Sequence, residues 1–319
     1  MAVLGAIRRP VGRRHRLAAA NPPRPIREGF VRAWDGTLIA FDTYGDPDGP
    51  AVVFTDGIAC NGTYLVPLIR YLSRWFHVVR WSYRGHGLSG IPIEQAHLTV
   101  EDCLRDLERV MDHLSIHQAV HVGYSMGVQI LLDAAHRWPE RVSSLVLMNG
   151  TWGRMLDSFH GNTIMRSALP LLYHLVTHRK RWMARLWRQI VPTQFVYLMA
   201  TLTELNGRLV DQKQFLPYLD HLATLDLELF LALVGDAAEH DTRPFLASVR
   251  QPTLIFGGED DTFTPFFLSE ELYEALPNAE LVQVERATHS LPLEQPDLVN
   301  LTVERFLRQQ GMMKDTEIG

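Results

Sequence analysis

The stretch "QAVHVGYSMGVQILLDAAHRWP", residues 118–139, contains the strongest indication of the fold in this chain. It begins with an apolar run typical of a strand and continues with the spacing of a helix. Ser125 lies at the junction, with Gly123 and Gly127 two positions away on either side. Because a sharp strand-to-helix corner crowds its neighbours, it requires small residues there and exposes the central side chain. The stretch therefore predicts a strand, a tight corner carrying a nucleophilic serine, and a helix.

Similar patterns recur on both sides of this stretch. Apolar runs with strand character are "AVVFTDG" (51–57), "FHVVRWSYRGHG" (76–87), "VSSLVLMNG" (142–150), "QPTLIFGG" (251–258) and "AELVQVE" (279–285). Helical spacing occurs in "YLVPLIRYLSRW" (64–75), "LTVEDCLRDLERVMDHLS" (98–115) and "PDLVNLTVERFL" (296–307), and a β-hairpin with an Asp35-Gly36 turn is predicted for residues 30–46. Continuously apolar strands that alternate with helices are typical of a mostly parallel sheet covered on both faces. The predicted class is α/β.

The alternation stops near Asn149 and resumes at residue 251. We predict that residues 151–242 are helical and form a cap inserted into a core of residues 29–150 and 243–319. Within the cap, "RWMARLWRQI" (181–190) places Trp182, Met183, Leu186, Trp187 and Ile190 on one helical face, with basic residues largely elsewhere. The stretch "FLPYLDHLATLDLELFLALV" (215–234) is leucine-rich at helical spacing.

Charge is distributed unevenly along the 319 residues. The formal net charge is −5, yet the first 27 residues contain seven arginines and no acidic residue. Residues 1–28 are therefore predicted to be an arginine-rich arm, and the remainder an acidic body that repels nucleic acid. The arm could lie on an anionic membrane surface or on the acidic body, or be disordered. The basic cap helix could also lie on a membrane surface; the competing interpretation is a cap helix that covers the site and whose cations face water. Two cysteines exclude a disulfide framework, and we expect a cytoplasmic protein with no metal or organic cofactor.

A serine hydroxyl needs a base, and the base needs an orienting acid. "GGEDDTFTP" (257–265) follows a predicted buried strand and offers Asp260 and Asp261, and "ERATHSLPLEQP" (285–296) follows the last strand and offers His289. Both loops come at the carboxyl ends of parallel strands, where open α/β sheets bind ligands. Ser125, His289 and one of the two aspartates are therefore predicted to meet as a catalytic triad.

With these residues the chain resembles the α/β-hydrolases of the capped serine-hydrolase type, over roughly residues 29–319. "GYSMG" is similar to the family's nucleophile corner, "GEDDTFTP" to its acid loop in a register that selects Asp261, and "THSLPLEQP" to its histidine loop. "YRGHGLSG" resembles the R-G-x-G-x-S segment of the family, with Arg84, Gly85, Gly87 and Ser89 at the matching places. The resemblance implies a backbone oxyanion hole formed by the N–H groups of Ile58 and Met126.

Two positions depart from the family pattern. Asp56-Gly57 stands where the family usually has His-Gly, and Ser82 stands where an aspartate often precedes the arginine. A carboxylate at residue 56 would oppose a developing oxyanion unless its charge is compensated. We therefore expect Asp56 to pair with Arg84.

The serine at residue 125 separates this chain from the relatives that use an aspartate nucleophile, the haloalkane dehalogenases and epoxide hydrolases. The resulting expectation is hydrolysis of an ester, or a related acyl bond, of a small apolar molecule through an acyl-enzyme. Three alternatives stay open: a cofactor-free haloperoxidase or perhydrolase, a carbon–carbon bond hydrolase, and a ligand-binding protein on a hydrolase scaffold. The leucines of the cap and seven of its aromatic residues are candidates for the pocket wall, because ligand pockets are mostly apolar and aromatic. The aromatic candidates are Trp152, Trp182, Trp187, Phe195, Tyr197, Tyr218 and Phe230.

Overall fold

A computed structural model describes residues 23–157 and 164–313. Eight strands form one sheet: β1 (Arg27–Arg32), β2 (Leu38–Gly45), β3 (Ala51–Thr55), β4 (His77–Trp81), β5 (Ala119–Tyr124), β6 (Val142–Met148), β7 (Thr253–Gly258) and β8 (Ala279–Val284). Their order is β1-β2-β4-β3-β5-β6-β7-β8. The hairpin of β1 and β2 is antiparallel and β2 pairs antiparallel with β4, whereas all pairs from β4 to β8 are parallel. The predicted α/β class and mostly parallel sheet are confirmed.

Eleven α-helices lie within the described residues. They are α1 (Val66–Leu72), α2 (Val100–His113), α3 (Met126–Arg137), α4 (Ile164–His178), α5 (Lys180–Ile190), α6 (Gln194–Thr203), α7 (Gln212–Thr224), α8 (Leu227–Glu239), α9 (Phe266–Ala275), α10 (Leu291–Glu294) and α11 (Pro296–Gln309). The apolar spacing noted above does not predict α9, which follows the acid loop directly after Pro265.

The sheet carries a buried cluster on each face, because successive strand residues point to opposite sides. Val52 and Phe54 of β3 belong to the cluster that includes α1 and α11, whereas Val53 belongs to the cluster that includes α2 and α3. Burial on both faces explains why the strands are continuously apolar rather than alternating. This rigid sheet positions the loops at its carboxyl edge.

Helices α4–α8 are inserted between β6 and β7. Where the insertion leaves and rejoins the core, Gly153 pairs with Asp241 in an isolated antiparallel bridge, and the Thr242 N–H donates to the Trp152 carbonyl over 2.9 Å. Residues 1–22, which hold most of the predicted arginine-rich arm, lie outside the described residues. Among the residues described, no helix is long and apolar enough to cross a membrane.

The leucine-rich stretch 215–234 forms two helices rather than one. Leu225 and Asp226 are extended, and Asp226 Oδ1 accepts from the Glu228 and Leu229 N–H groups over 3.0 and 3.4 Å, which caps α8. A side chain that satisfies the first free N–H groups starts a new helix at this point. The apolar spacing continues through the break and does not reveal it.

The predicted apolar face of α5 is only partly correct. Met183 and Trp187 pack against a small buried cluster of the insertion, and the Trp187 indole N–H donates to the Leu222 carbonyl over 2.8 Å. Trp182 and Ile190 instead face outward and are 61% and 42% exposed. They lie at the two ends of the predicted stripe.

Candidate active site

Ser125 occupies a strained corner between the end of β5 and the start of α3. Its φ of 53° lies in the left-handed region, which costs free energy for a residue with a side chain. The flanking glycines are needed for close approach: a Cβ at Gly123 would lie 2.8 Å from Leu131 Cδ1, and one at Gly127 would collide with the Thr55 carbonyl oxygen. The geometry agrees with the reason for small residues given by the sequence.

The structure brings Ser125, His289 and Asp261 together in one hydrogen-bonded line. Ser125 Oγ is 3.1 Å from His289 Nε2, and His289 Nδ1 is 2.9 Å from Asp261 Oδ2. All three side chains are buried. Because a carboxylate only accepts, Nδ1 carries the proton toward Asp261 and Nε2 is left to accept from the serine hydroxyl. This is the arrangement in which an imidazole can remove the serine proton.

The acid loop fixes Asp261 and leaves Asp260 outside the line. Asp261 Oδ1 accepts from the Phe263 and Thr264 N–H groups over 2.8 and 3.0 Å, and Oδ2 accepts from Thr264 Oγ1 over 2.8 Å. Asp260 is exposed. Several donors to one carboxylate fix its orientation toward the imidazole.

The histidine loop is held by the neighbouring strand ends. Tyr124, the last residue of β5, donates its hydroxyl to the His289 carbonyl over 2.8 Å. Asn149, directly after β6, donates its side-chain amide to the carbonyls of Thr288 and His289 over 2.8 and 3.1 Å. The imidazole is therefore positioned by two strands of the rigid sheet, although His289 itself lies on a loop.

Negative neighbours set the protonation of His289. Burial lowers its pKa, but the charge and hydrogen bond of Asp261 and the charges of Glu204 and Glu294 together outweigh burial. The net result is a pKa raised above the ordinary value. A base of this kind is stronger than free imidazole, and it loses its capacity to accept a proton as the pH falls through that pKa.

The loop after β3 lies against the serine. A Cβ at Gly57 would be 3.1 Å from Ser125 Cβ, and the next residue, Ile58, lines the same cavity as Ser125. Met126 begins α3 directly after the serine. These positions suit the two backbone N–H groups assigned above to an oxyanion hole, and that assignment stays a prediction.

The expected ion pair between Asp56 and Arg84 is wrong. The Arg84 guanidinium is fully buried and binds Asp106 through two hydrogen bonds of 2.7 Å, with Asp35 at 3.0 Å. Asp56 instead accepts from the Gly57 N–H over 2.9 Å and from the Gly62 N–H. The carboxylate therefore closes the 56–62 loop onto itself, a local role that does not involve Arg84.

Burial raises the pKa of Asp56 to about 6, against the opposing effect of the Gly57 and Gly62 hydrogen bonds and of Arg80. The carboxylate is thus mostly ionised at neutral pH and loses its charge in mildly acidic solution. Its two backbone partners offset the cost of burying that charge.

An apolar cavity of about 240 Å³ opens above Ser125 and His289. Helices of the insertion supply much of its wall, including Leu169, Leu172, Phe230, Leu231 and Val234. Of the seven aromatic residues considered from sequence, Tyr218 and Phe230 line this cavity. Trp182 and Phe195 are exposed, and the Trp187 indole is bound within the insertion. The cavity suits a small apolar group, since ligand pockets of drug size usually span about 300–1,000 Å³.

Glu204 is a cavity residue that the sequence interpretation missed. It follows α6, lines the cavity, and accepts from the Tyr64 hydroxyl over 2.6 Å. Burial raises the pKa of its carboxyl group, while the Tyr64 hydrogen bond and the charge of His289 oppose that rise. Its backbone carbonyl accepts from Thr288 Oγ1 and Ser290 Oγ, on either side of His289, over 2.6 and 2.8 Å. No sequence motif predicts the role of Glu204, because its position in the cavity depends on how α6 packs against a distant loop.

No group of three or more histidine, cysteine or acidic side chains within residues 23–157 and 164–313 could hold a metal ion. Cys60 and Cys103 are both buried and free. The reactive groups that face the cavity are the Ser125 and His289 side chains, with Asp261 behind the imidazole.

Comparison with known proteins agrees with this fold. Residues 50–296 match the model of the alpha/beta hydrolase fold family, and the chain belongs to that family. It is similar to 3-oxoadipate enol-lactonase 2 of Acinetobacter baylyi, with 26% identity over 272 residues that span 84% of this chain and 92% of the relative. Together the family and its relatives make the protein a hydrolase.

Two solved structures illustrate the fold-level similarity. A thermophilic esterase from Thermogutta terrifontis superposes with a TM-score of 0.72 at 21% identity, covering 89% of this chain and 99% of the esterase. A bromoperoxidase from Bacillus anthracis superposes with a TM-score of 0.71 at 18% identity, covering 88% of this chain and 100% of that protein. At these identities the likeness concerns the fold alone.

Proposed function

We propose that this hydrolase cleaves the ester bond of a small molecule with an apolar acyl group, through an acyl-enzyme on Ser125. The observation that carries the proposal is the hydrogen-bonded line from Asp261 through His289 to Ser125, at the floor of an apolar cavity. The similarity to an enol-lactonase supports it, because a lactone is a cyclic ester.

In the first half of the reaction, Ser125 Oγ attacks the carbonyl carbon as His289 Nε2 takes the hydroxyl proton. The carbonyl oxygen becomes an oxyanion that the N–H groups of Ile58 and Met126 stabilise. The intermediate then collapses, the bond to the alcohol breaks, and the imidazolium gives its proton to the departing oxygen. Asp261 stabilises the imidazolium while it exists.

In the second half, water replaces the alcohol. His289 takes a proton from the water as its oxygen attacks the acyl carbon. Collapse of the second intermediate breaks the bond to Ser125 Oγ, which recovers its proton from the imidazolium. The products are a carboxylic acid and the free enzyme, and no other reactant is consumed.

A fluorophosphonate probe tests the nucleophile. We expect the folded wild type to be labelled on Ser125, and the Ser125→Ala variant to remain unlabelled. A well-folded wild type that does not react would overturn the proposal and favour a ligand-binding role. The labelled residue is identified by peptide mass spectrometry.

A series of p-nitrophenyl esters of increasing acyl length tests the substrate class. Because the cavity is small and apolar, kcat/KM should rise over the first few methylene groups and then fall once the acyl chain exceeds the cavity. A rate that is independent of chain length would argue against binding of the acyl group in this cavity. Leu172→Ala shortens a side chain in the cavity wall, so the acyl length with the highest kcat/KM should become longer. Leu301→Ala, on an exposed face of α11, is the matched control and should not change that length.

A further inference from the structure

Helix α6 has an apolar stripe that points away from the protein. Phe195, Leu198, Met199 and Leu202 are 64%, 49%, 39% and 71% exposed, and they follow one another at i, i+3, i+4 and i+7. That spacing places them on one helical face. Tyr197 and Ala200, on the other side, are buried. A contiguous apolar face of this kind is a usual mark of an interaction surface.

Helix α5 is strongly cationic, and three residues separate it from α6, which carries the apolar stripe. Arg181, Arg185 and Arg188 are all exposed, and Trp182 is exposed beside them. Lys180 has carboxylate partners, Asp226 and Glu228, at the base of α8. From residue 164 to residue 203 the chain contains six arginine and lysine residues and no aspartate or glutamate. This part of the insertion therefore presents positive charge next to exposed apolar side chains.

The two properties together restrict what can cover this surface. A symmetric dimer through this surface would place like charges against each other, and the arginine-rich segment 1–22 would be repelled in the same way. The acidic body of a second copy could satisfy the arginines but offers no matching apolar face for the stripe. Nucleic acid would satisfy the arginines but not the apolar stripe. An anionic bilayer satisfies both, because its headgroups attract arginine while its interface accepts aromatic and aliphatic side chains.

We propose that the outward surface of α5 and the beginning of α6 binds anionic phospholipid membranes peripherally. The exposed residues Glu259 and Asp260 lie in the groove beside the end of α6, near Leu202. Their negative charge disfavours membrane contact at that end, so we place the insertion point at the Phe195 end, which follows the arginines of α5 along the chain. This binding is independent of the proposed ester hydrolysis and needs no turnover to be observed.

Co-sedimentation of the full chain with phosphatidylcholine vesicles, with and without phosphatidylglycerol, tests the proposal. We expect binding to the anionic vesicles at low salt and a decrease at high salt. The triple variant Arg181→Gln, Arg185→Gln, Arg188→Gln should weaken binding by about tenfold or more. The double variant Trp182→Ser, Phe195→Ser should weaken binding and reduce the part that survives high salt.

Matched controls remove equal charge and apolar area elsewhere. Arg32→Gln, Arg109→Gln and Arg250→Gln change three other exposed arginines, and Ile93→Ser with Leu301→Ser changes two other exposed aliphatic residues. Both controls should bind as the wild type does. Thermal unfolding confirms that each variant is folded, whether or not an ester substrate is found.

Four outcomes would overturn the proposal. They are absence of binding at low salt, equal binding to vesicles without phosphatidylglycerol, equal losses in the control variants, and loss only when the arginines of segment 1–22 are changed to glutamine. Retention on RNA or DNA without retention on vesicles would replace it with a nucleic-acid surface.

Discussion

The sheet core and the helical insertion bury their apolar residues to very different degrees. Strands β3, β5 and β7 lie almost entirely out of solvent, whereas residues 164–202 contain 10 of the 21 large apolar side chains that are exposed within the described residues. The groups that would perform chemistry belong to the core: Ser125 at a strand end, and Asp261 and His289 on loops that strand ends support. The insertion contributes cavity wall and an outward surface. Through Glu204 the insertion also supports the histidine loop. The core therefore carries the reacting groups, and the insertion encloses and supports them from outside.

The largest effect should come from the serine itself. Ser125→Ala removes the attacking oxygen, and we expect kcat on a p-nitrophenyl ester to fall by about 10⁴-fold or more. Adding His289→Ala to Ser125→Ala should cause no further loss, because the groups act as one unit. A double variant clearly slower than either single variant would contradict a shared mechanism.

Substitution of the triad aspartate should give the next largest loss of activity, and the neighbouring aspartate provides a matched control. Asp261→Asn should lower kcat by about 10⁴-fold, because the amide no longer holds the imidazole in the required tautomer. Asp260→Asn, one residue away and exposed, should remain near the wild-type rate. If Asp260→Asn were the slower enzyme, Asp260 rather than Asp261 would have to be the acid.

Alanine substitutions at two helical glycines test how tightly the core and the insertion are packed. Gly127→Ala would force a methyl group against the Thr55 carbonyl, whereas a methyl at Gly235 in α8 meets only Leu169 Cδ2 at an ordinary 3.7 Å. We expect Gly127→Ala to lower the free energy of unfolding by about 1–3 kcal/mol. Gly235→Ala should raise it by about 0.5–1 kcal/mol, since alanine is the better helix former. Urea denaturation measures both, and equal effects would show that the two regions are packed alike.

The smallest effect concerns pH and arises where the two regions meet. Glu204→Gln removes a negative charge that raises the pKa of His289. His289 must be neutral to accept the serine proton, so activity is lost as the pH falls through its pKa. A lower pKa therefore moves the acidic limb of the kcat/KM profile to lower pH. The control is Glu259→Gln, an exposed carboxylate that binds the Arg286 N–H and should leave the limb in place. A limb that does not move in Glu204→Gln would mean that Glu204 does not influence the histidine.

Sequence patterns predicted the parts of the molecule that depend on local rules. The strands, the Asp35-Gly36 hairpin and the corner at Ser125 follow from burial, turn chemistry and crowding within a few residues. The meeting of Ser125, Asp261 and His289 also agreed with expectation, since parallel strands bring their carboxyl ends to one edge. Helix α9 and the break at Asp226 were not predicted, because apolar spacing alone does not show where a helix starts.

The features that sequence did not predict depend on which distant elements meet. Arg84 is bound by Asp106 of α2 and by Asp35 of the hairpin, and no spacing links those positions. The exposure of Trp182 depends on which side of α5 faces the neighbouring helices, a choice that helical periodicity leaves open. Glu204 belongs to the same group, because it reaches the cavity only through the packing of α6.

The contact between Glu204 and the histidine loop has a consequence for protein engineering. The main chain just after α6 is joined to the loop and to α10 by several bonds: Glu204 O accepts from Thr288 and Ser290, and the Asn206 N–H donates to Glu294 Oε1 over 2.5 Å. A chimera that exchanges the whole insertion for that of a relative would remove these supports along with the cavity wall. Grafts intended to change selectivity should therefore replace α4, α5 or α8 and retain the native chain from residue 203 to residue 206.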